Sequence, residues 1–168
     1  SIYTNREIFL REIISNASDA IDKLCYLSLT DTNVGMSRAD YKIDIIPDKE
    51  ARTLTVRDNG IGMTMEECEN NLKGEMDKDQ AEGEDLSIIG QFGVGFYSAF
   101  MVADEVTVIT RKYGEDMGVK WESRGADGYT VTPCEKESVG TDVIMHIKPD
   151  TEEEIYGTFL EVWKLKAL

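Results

Sequence analysis

The sequence has little of several features that define common classes of protein. Its three cysteines are odd in number and show no C-x-x-C spacing, which argues against a disulfide framework or a zinc site. The single histidine, His146, lies in a strand-like run, where we expect an ordinary strand residue. No stretch approaches the ~20 apolar residues of a membrane span, and no signal peptide is recognisable. We therefore expect free thiols and a cytoplasmic protein that does not enter membranes.

Basic residues are also few. Lys and Arg number 18 against 33 Asp and Glu, for a net charge of -15, which argues against a nucleic-acid-binding surface. Any site for an anion must then be built locally from backbone dipoles. The 168 residues, 41% of them hydrophobic, are enough for one domain with a core, over residues 1–168. The chain opens without methionine inside a predicted helix and closes inside another, so we expect it to be truncated at both ends.

The apolar pattern predicts an α+β fold, a two-layer sandwich of helices on a mostly antiparallel sheet. A first helix covers Asn5–Leu27, and residues 41–45 and 54–56 form a hairpin around a turn at 47–50. A second helix over 64–72 starts with a capping box between Thr64 and Glu67. Residues 73–87 are acidic and nearly free of apolar side chains, which is typical of a mobile surface segment. The remaining predicted elements are a helix over 96–102, an antiparallel meander of strands over 105–112, 119–123, 129–134 and 141–148, and a last helix over 152–168.

The first helix carries a polar stripe beside its apolar face. Glu12, Asn16, Asp19 and Lys23 follow one another at spacings of four, three and four residues, so they share one side of the helix. Polar residues at the border of a core face line either a cavity or the edge of the solvent. A ladder of ion pairs through Asp19 and Lys23 would produce the same pattern, so the helix alone leaves both interpretations open.

Two glycine-rich segments point towards a nucleotide. The segment G-Q-F-G-V-G-F-Y at 90–97 would let backbone N–H groups approach a phosphate, with a helix N-terminus behind them. Upstream, Asp58 is followed by N-G-I-G, and an ionised carboxylate there could accept a hydrogen bond from the adenine amine. The hydroxyl of Thr141 could serve the neighbouring ring nitrogen. Taken singly, each has a plainer interpretation, because D-N-G also forms ordinary turns and Thr141 is otherwise a strand residue.

Four segments in this order carry a resemblance to a known family. They are residues 7–23 (E-I-F-L-R-E-I-I-S-N-A-S-D-A-I-D-K), 58–64 (D-N-G-I-G-M-T), 89–98 (I-G-Q-F-G-V-G-F-Y-S) and Gly140 with Thr141. Together they resemble the N-terminal ATP-binding domain of the 90-kDa heat-shock chaperone family, most closely its bacterial cytosolic members. The wider superfamily includes gyrase, MutL and histidine kinases. The resemblance implies a Bergerat-type ATP-binding fold, ATP or ADP with Mg²⁺, and slow ATP hydrolysis that serves protein folding under stress.

The resemblance also implies roles for single residues. Glu12 would be the catalytic carboxylate with Arg11 beside it, Asn16 would bind magnesium and phosphate, and Asp58 would accept from the adenine amine. Thr141 and Gly62 would assist Asp58 through water, and Asn71 would lie near the ribose. The other residues expected around the nucleotide are Asp19 and Lys23 as supports, Gly93, Val94, Gly95 and Phe96 at the phosphates, and the apolar walls Ile13, Ala17, Met63, Leu72, Phe96 and Val143.

The chain departs from the family pattern in two places. The strand and helix that precede the Glu12 helix in the family are absent, and the lid segment over 73–87 is short and lacks a phosphate-facing lysine. The short lid has two explanations, a deletion or residues that the numbering omits. The resemblance implies further partners, namely the chaperone's middle and C-terminal domains, unfolded client proteins and inhibitors of the ansamycin and resorcylate type. It also implies a monomeric fragment of a homodimer. A nucleotide switch without catalysis, a topoisomerase or mismatch-repair ATPase, and a histidine kinase remain as alternatives.

Overall fold

The computed structural model describes residues 5–77, 98–125, 128–151 and 156–160. This part of the chain contains two α-helices and six strands, together with short 3₁₀ helices. The helices are α1 (Asn5–Leu27) and α2 (Met65–Asp77). The strands are β1 (Ile43–Asp48), β2 (Thr53–Asp58), β3 (Ala103–Arg111), β4 (Gly118–Ser123), β5 (Tyr129–Cys134) and β6 (Gly140–Ile147). The expected α+β fold, helices on a mostly antiparallel sheet, is confirmed.

The sheet has the order β1-β2-β6-β3-β4-β5, with every neighbouring pair antiparallel. The predicted meander is therefore only partly right. Strands β3 to β5 do form one, but β6 returns to lie between β2 and β3 instead of beside β5. The reason is burial, because Val143, Met145 and Ile147 of β6 all lie in the core. A central position gives these side chains apolar neighbours on both sides, which an edge position beside the largely exposed β5 would not.

Helix α1 packs its apolar face against the sheet as predicted. Phe9, Leu10, Ile13 and Leu24 are each at most 1% exposed, whereas the opposite face of the helix is open to solvent. That opposite face consists of Arg11, Ser15, Ser18 and Asp22. The helix therefore has one side fixed by the core and leaves its polar stripe at the border between core and surface.

Three helix boundaries differ from the expectation. Helix α2 continues to Asp77, so residues 73–77 are helical and not part of a mobile segment, because Lys, Glu and Met favour a helix and outweigh one glycine. Residues 78–87 lie outside the described residues. Of the helix predicted over 96–102, the described part begins at Ser98, which is helical, and Ala99–Met101 then forms a short 3₁₀ turn before β3. Within the predicted last helix, Tyr156–Leu160 is also a 3₁₀ turn, and its Gly157 N–H donates to Asp150 Oδ1 at 2.8 Å instead of to a helical carbonyl.

Candidate nucleotide-binding site

A cavity of about 720 Å³ lies between α1, the start of α2 and the sheet. Residues from all three parts line it, including Asn16 of α1, Asn71 of α2 and Val143 of β6. Its volume falls in the range of small-molecule sites, which is roughly 300–1,000 Å³. Both layers of the sandwich therefore contribute to one cavity that is partly open to solvent, as a ligand must be able to enter.

Polar residues form a row across three strands at the floor of this cavity. In the strand register Asp58 of β2 lies opposite Thr141 of β6, and Thr141 lies opposite Thr110 of β3. Asp58 is 6% exposed, Thr141 7% and Thr110 0%. The Oγ1 atoms of the two threonines are 2.8 Å apart. The crossover of β6 creates this row, because only that topology places Thr141 between the other two residues.

Asp58 has an unusual electrostatic environment. Burial raises its pKa to about 7 from an ordinary value of 3.8, and the nearby Asp142 adds to the effect. The backbone N–H of Gly60, which donates to Asp58 Oδ1 at 2.8 Å, acts in the opposite direction, as does the charge of Lys136. The folded protein thus holds a carboxylate that is costly to ionise at the floor of a cavity, a combination typical of functional sites.

The turn after Asp58 is held by close backbone contacts. Ile61 N–H donates to the Ala20 carbonyl of α1 at 3.0 Å, and Tyr113 N–H donates to the Ile61 carbonyl at 2.8 Å. A Cβ atom on Gly62, whose φ is +75°, would lie 1.9 Å from the Arg111 carbonyl oxygen. The glycines therefore let this turn fit between α1 and the end of β3.

The polar stripe of α1 faces the cavity in its later part. Asn16, Asp19 and Lys23 line the cavity, which favours the cavity interpretation of the stripe over a simple ladder of ion pairs. Glu12 is half-buried one turn earlier and is not among the lining residues, and Arg11 is exposed. The expected apolar walls Ile13, Ala17, Met63 and Val143 also line the cavity, as do Gly62 and Asn71. Leu72 lies on α2. Gly93, Val94, Gly95 and Phe96 lie outside the described residues.

Helix α2 begins with the predicted capping box. Glu67 N–H donates to Thr64 Oγ1 at 3.1 Å, and Thr64 N–H donates to Glu67 Oε1 at 3.0 Å. Glu67 also lines the cavity and binds Lys112 Nζ through both carboxylate oxygens, at 2.8 and 2.9 Å. Partial burial by itself raises the pKa of Glu67, but the bonds from Lys112 and Thr64 outweigh it and lower that pKa.

Sequence reasoning missed four polar residues at the cavity. Asp22, Glu67 and Asn70 line it, and Thr110 lies beneath Thr141. A signal for Glu67 was available, since it precedes Asn71 by four residues and so shares its side of the helix. No local pattern could reveal Thr110, because its role depends on the pairing of β3 with β6.

The described residues contain no group of three or more His, Cys, Asp or Glu side chains that could hold a metal ion. The amide oxygen of Asn16 at the cavity is a ligand type that suits Mg²⁺, which keeps several waters and takes phosphate oxygens. Within the same ranges, no helix is both long and apolar enough to span a bilayer.

The fold and the cavity define a class of ATPase, and comparison with known proteins agrees. Residues 3–141 match the family described as histidine kinase-, DNA gyrase B-, and HSP90-like ATPase. The chain belongs to this family, which confirms the assignment made from four sequence segments.

Within this broad family, the individual relatives that resemble the chain are bacterial chaperones. The chain is 54% identical over 175 residues to the chaperone protein HtpG of Clostridium botulinum (strain Langeland / NCTC 10281 / Type F). It is 55% identical over 175 residues to that of Clostridium perfringens (strain 13 / Type A), and 55% over 177 residues to that of Natranaerobius thermophilus. Each alignment covers 100% of this chain but 28% of the relative, so the chain spans less than a third of the length of these proteins.

Proposed function

We propose that this chain is the ATP-binding, slowly ATP-hydrolysing domain of a cytoplasmic molecular chaperone. The observation that carries the proposal is the pair of Asp58 and Thr141 on the floor of the cavity. Adenine presents a donor, its exocyclic amine, next to an acceptor, its ring nitrogen. Ionised Asp58 is an acceptor for the first, and the Thr141 hydroxyl is a donor for the second, directly or through water.

The residues of α1 and α2 that line the cavity are suited to bind the ribose and the phosphates of the nucleotide. Asn71 of α2 is suited to the ribose, and Asn16, Asp19 and Lys23 line the same cavity along α1. Asn16 would hold Mg²⁺ together with phosphate oxygens, and the ion would neutralise charge on the phosphates. We assign the phosphate cradle to the segment at 90–97, on its sequence alone.

Hydrolysis would depend on Glu12. It lies one turn from Asn16 on the same stripe of α1, where a carboxylate can orient a water molecule towards the phosphates, with Arg11 as its neighbour. The nucleotide state would then bias the lid and the docking of further chaperone domains, and through them the binding of unfolded clients. Ansamycin- and resorcylate-type inhibitors would compete for the cavity. The high identity to HtpG proteins favours this function over that of a topoisomerase or a histidine kinase.

Calorimetric titration of Mg-ADP and Mg-ATP into the wild type and Asp58→Asn tests the binding step. We expect the wild type to bind with a dissociation constant between about 1 µM and 1 mM, and Asp58→Asn to lose binding. Asp142→Asn is the matched control, because Asp142 is adjacent to Thr141 in sequence but forms an ion pair with Arg57 at 2.9 Å. Equal binding by wild type and Asp58→Asn would refute the assignment of the base site.

Release of phosphate under single-turnover conditions tests the hydrolysis step. We expect slow release by the wild type and none above background by Glu12→Ala, while both bind Mg-ADP equally. Release that is unchanged in Glu12→Ala would contradict the role of Glu12. Binding without any release by the wild type would identify the chain as a nucleotide switch.

A further inference from the structure

The hydroxyl of Thr110 lies beneath the predicted base site and contacts three groups. Its Oγ1 is 3.0 Å from Met63 N, 2.8 Å from Thr141 Oγ1 and 3.2 Å from the Gly140 carbonyl oxygen. Thr110 is 0% exposed, so these protein groups are its immediate surroundings. Thr141, by contrast, lines the cavity. A fully buried hydroxyl thus supports the hydroxyl that would face the ligand.

A count of protons restricts how this cluster can be arranged. A hydroxyl has one proton to donate and two lone pairs to accept with. Met63 N–H can only donate, so it occupies one lone pair of Thr110. The proton of Thr110 then goes either to Thr141 or to the Gly140 carbonyl. The 2.8 Å between the two hydroxyl groups fits donation in either direction. The 3.2 Å to Gly140 exceeds the usual range of about 2.5–3.0 Å, which favours donation from Thr110 to Thr141.

This arrangement decides what Thr141 presents to the cavity. If Thr110 donates to Thr141, the proton of Thr141 stays available for the ligand, and the floor presents a donor at Thr141 beside an acceptor at Asp58. If Thr141 instead donated to Thr110, the floor would present two acceptors. The first pattern complements adenine, whose amine donates and whose ring nitrogen accepts. The second would oppose the ring nitrogen.

We propose that Thr110 is a positioning residue that sets the hydrogen-bond polarity of Thr141 and thereby the preference of the cavity for the adenine ring. The inference rests on the proposed function, since it concerns the same base site. Thr110 acts through Thr141 and does not touch the ligand itself. Its second bond, to Met63 N, holds the wall of the cavity at a fixed distance from this floor.

The test compares ADP with 1-deaza-ADP, an analogue in which a C–H group replaces the N1 ring nitrogen. The wild type should bind ADP about tenfold more tightly, since the analogue cannot accept from Thr141. Thr110→Val removes the hydroxyl at nearly constant shape. It should weaken ADP binding by about three- to tenfold, because Thr141 then lacks the donor that orients its own proton towards the ligand. Binding of 1-deaza-ADP should stay nearly unchanged, so that the preference narrows. Thr110→Ser retains the hydroxyl and should restore the preference.

Thr107→Val is the matched control. Thr107 lies on the same strand, and the three-residue offset from Thr110 places it on the opposite face of the sheet. This variant should bind both ligands as the wild type does. If Thr110→Val does not fold, Thr110→Ala removes the same hydroxyl from a smaller side chain and must give the same loss of preference.

The outcomes separate this inference from the proposed function. If a folded Thr110 variant bound ADP and 1-deaza-ADP more weakly by the same factor, the role of Thr110 would be merely structural and the inference would be overturned. A preference for ADP that is unchanged in the variant would overturn it as well. In either case ADP binding by the wild type would leave the proposed function standing. Failure of the wild type to bind ADP would overturn both.

Discussion

Asp58→Asn should stabilise the fold at pH 8 while it removes nucleotide binding. In the folded protein Asp58 has a pKa of about 7, against an ordinary value of 3.8, chiefly because the side chain is buried. At pH 8 the carboxylate is ionised in both folded and unfolded chains, and folding must transfer that charge into the cavity floor. Asparagine carries no charge but keeps the Oδ1 atom that accepts from Gly60 N–H.

The size of the effect follows from the two pKa values. A difference of about three pKa units at ~1.4 kcal/mol per unit corresponds to roughly 4 kcal/mol lost from the stability of the wild type above pH 7. The new amide NH₂ group of asparagine costs about 1–3 kcal/mol if it lacks an acceptor. The net gain for Asp58→Asn at pH 8 should therefore be about 1–3 kcal/mol.

The dependence on pH has a definite sign. Between pH 4 and 7 folded Asp58 binds a proton that the unfolded chain has released, so the wild type loses stability as the pH rises through this window. The free energy of unfolding of Asp58→Asn should therefore exceed that of the wild type by about 2–3 kcal/mol less at pH 5 than at pH 8.

Urea unfolding of the wild type, Asp58→Asn and Asp142→Asn at both pH values measures these differences. Asp142→Asn should differ from the wild type by at most about 1 kcal/mol, because it loses the bond to Arg57 but also removes a charge that disfavours ionised Asp58. The reasoning would be refuted if Asp58→Asn were no more stable than the wild type at pH 8, or if its gain in stability were the same at pH 8 and pH 5.

Further predictions concern the ligand and the framework of the site. Adenosine has no titrating phosphate. Its binding should weaken about tenfold for each pH unit below 7, because Asp58 must be ionised to accept a hydrogen bond from the adenine amine. Calorimetric titrations that give the same affinity at every pH would exclude that role. Gly62→Ala should lower the melting temperature far more than Gly114→Ala: both glycines have positive φ (+75° and +92°), but a Cβ atom would meet the Arg111 carbonyl only at Gly62. Lys112→Met should cost about 1 kcal/mol in urea unfolding at low salt, because the ion pair it removes is only partly buried. A cost unchanged in 1 M salt would contradict an ionic contribution.

Local patterns predicted much of the fold. The buried face of α1, the β1–β2 hairpin and the capping box of α2 all appear where periodicity and capping rules placed them. These features depend on residues a few positions apart, so the sequence contains their whole cause. The ends of helices were predicted less well, because the effect of the glycines at 74 and 157 depends on their neighbours and on tertiary contacts such as that of Asp150.

The site was predicted unevenly for the same reason. Asn16, Asp19 and Lys23 could be placed together because they share one helix. Asp58 could be singled out by its turn. Its raised pKa could not be read from D-N-G, because that shift comes from burial by elements distant in the chain.

By itself the sequence determined where α1, the β1–β2 hairpin and the start of α2 lie, which face of α1 is apolar, and that the segment around Asp58 belongs to a nucleotide-binding family. Only the tertiary structure decided that β6 lies between β2 and β3, and hence that Asp58, Thr141 and Thr110 form one row. The physical reason is that strand order depends on how the whole chain buries its apolar faces, and no local pattern records which distant strand supplies the better neighbour.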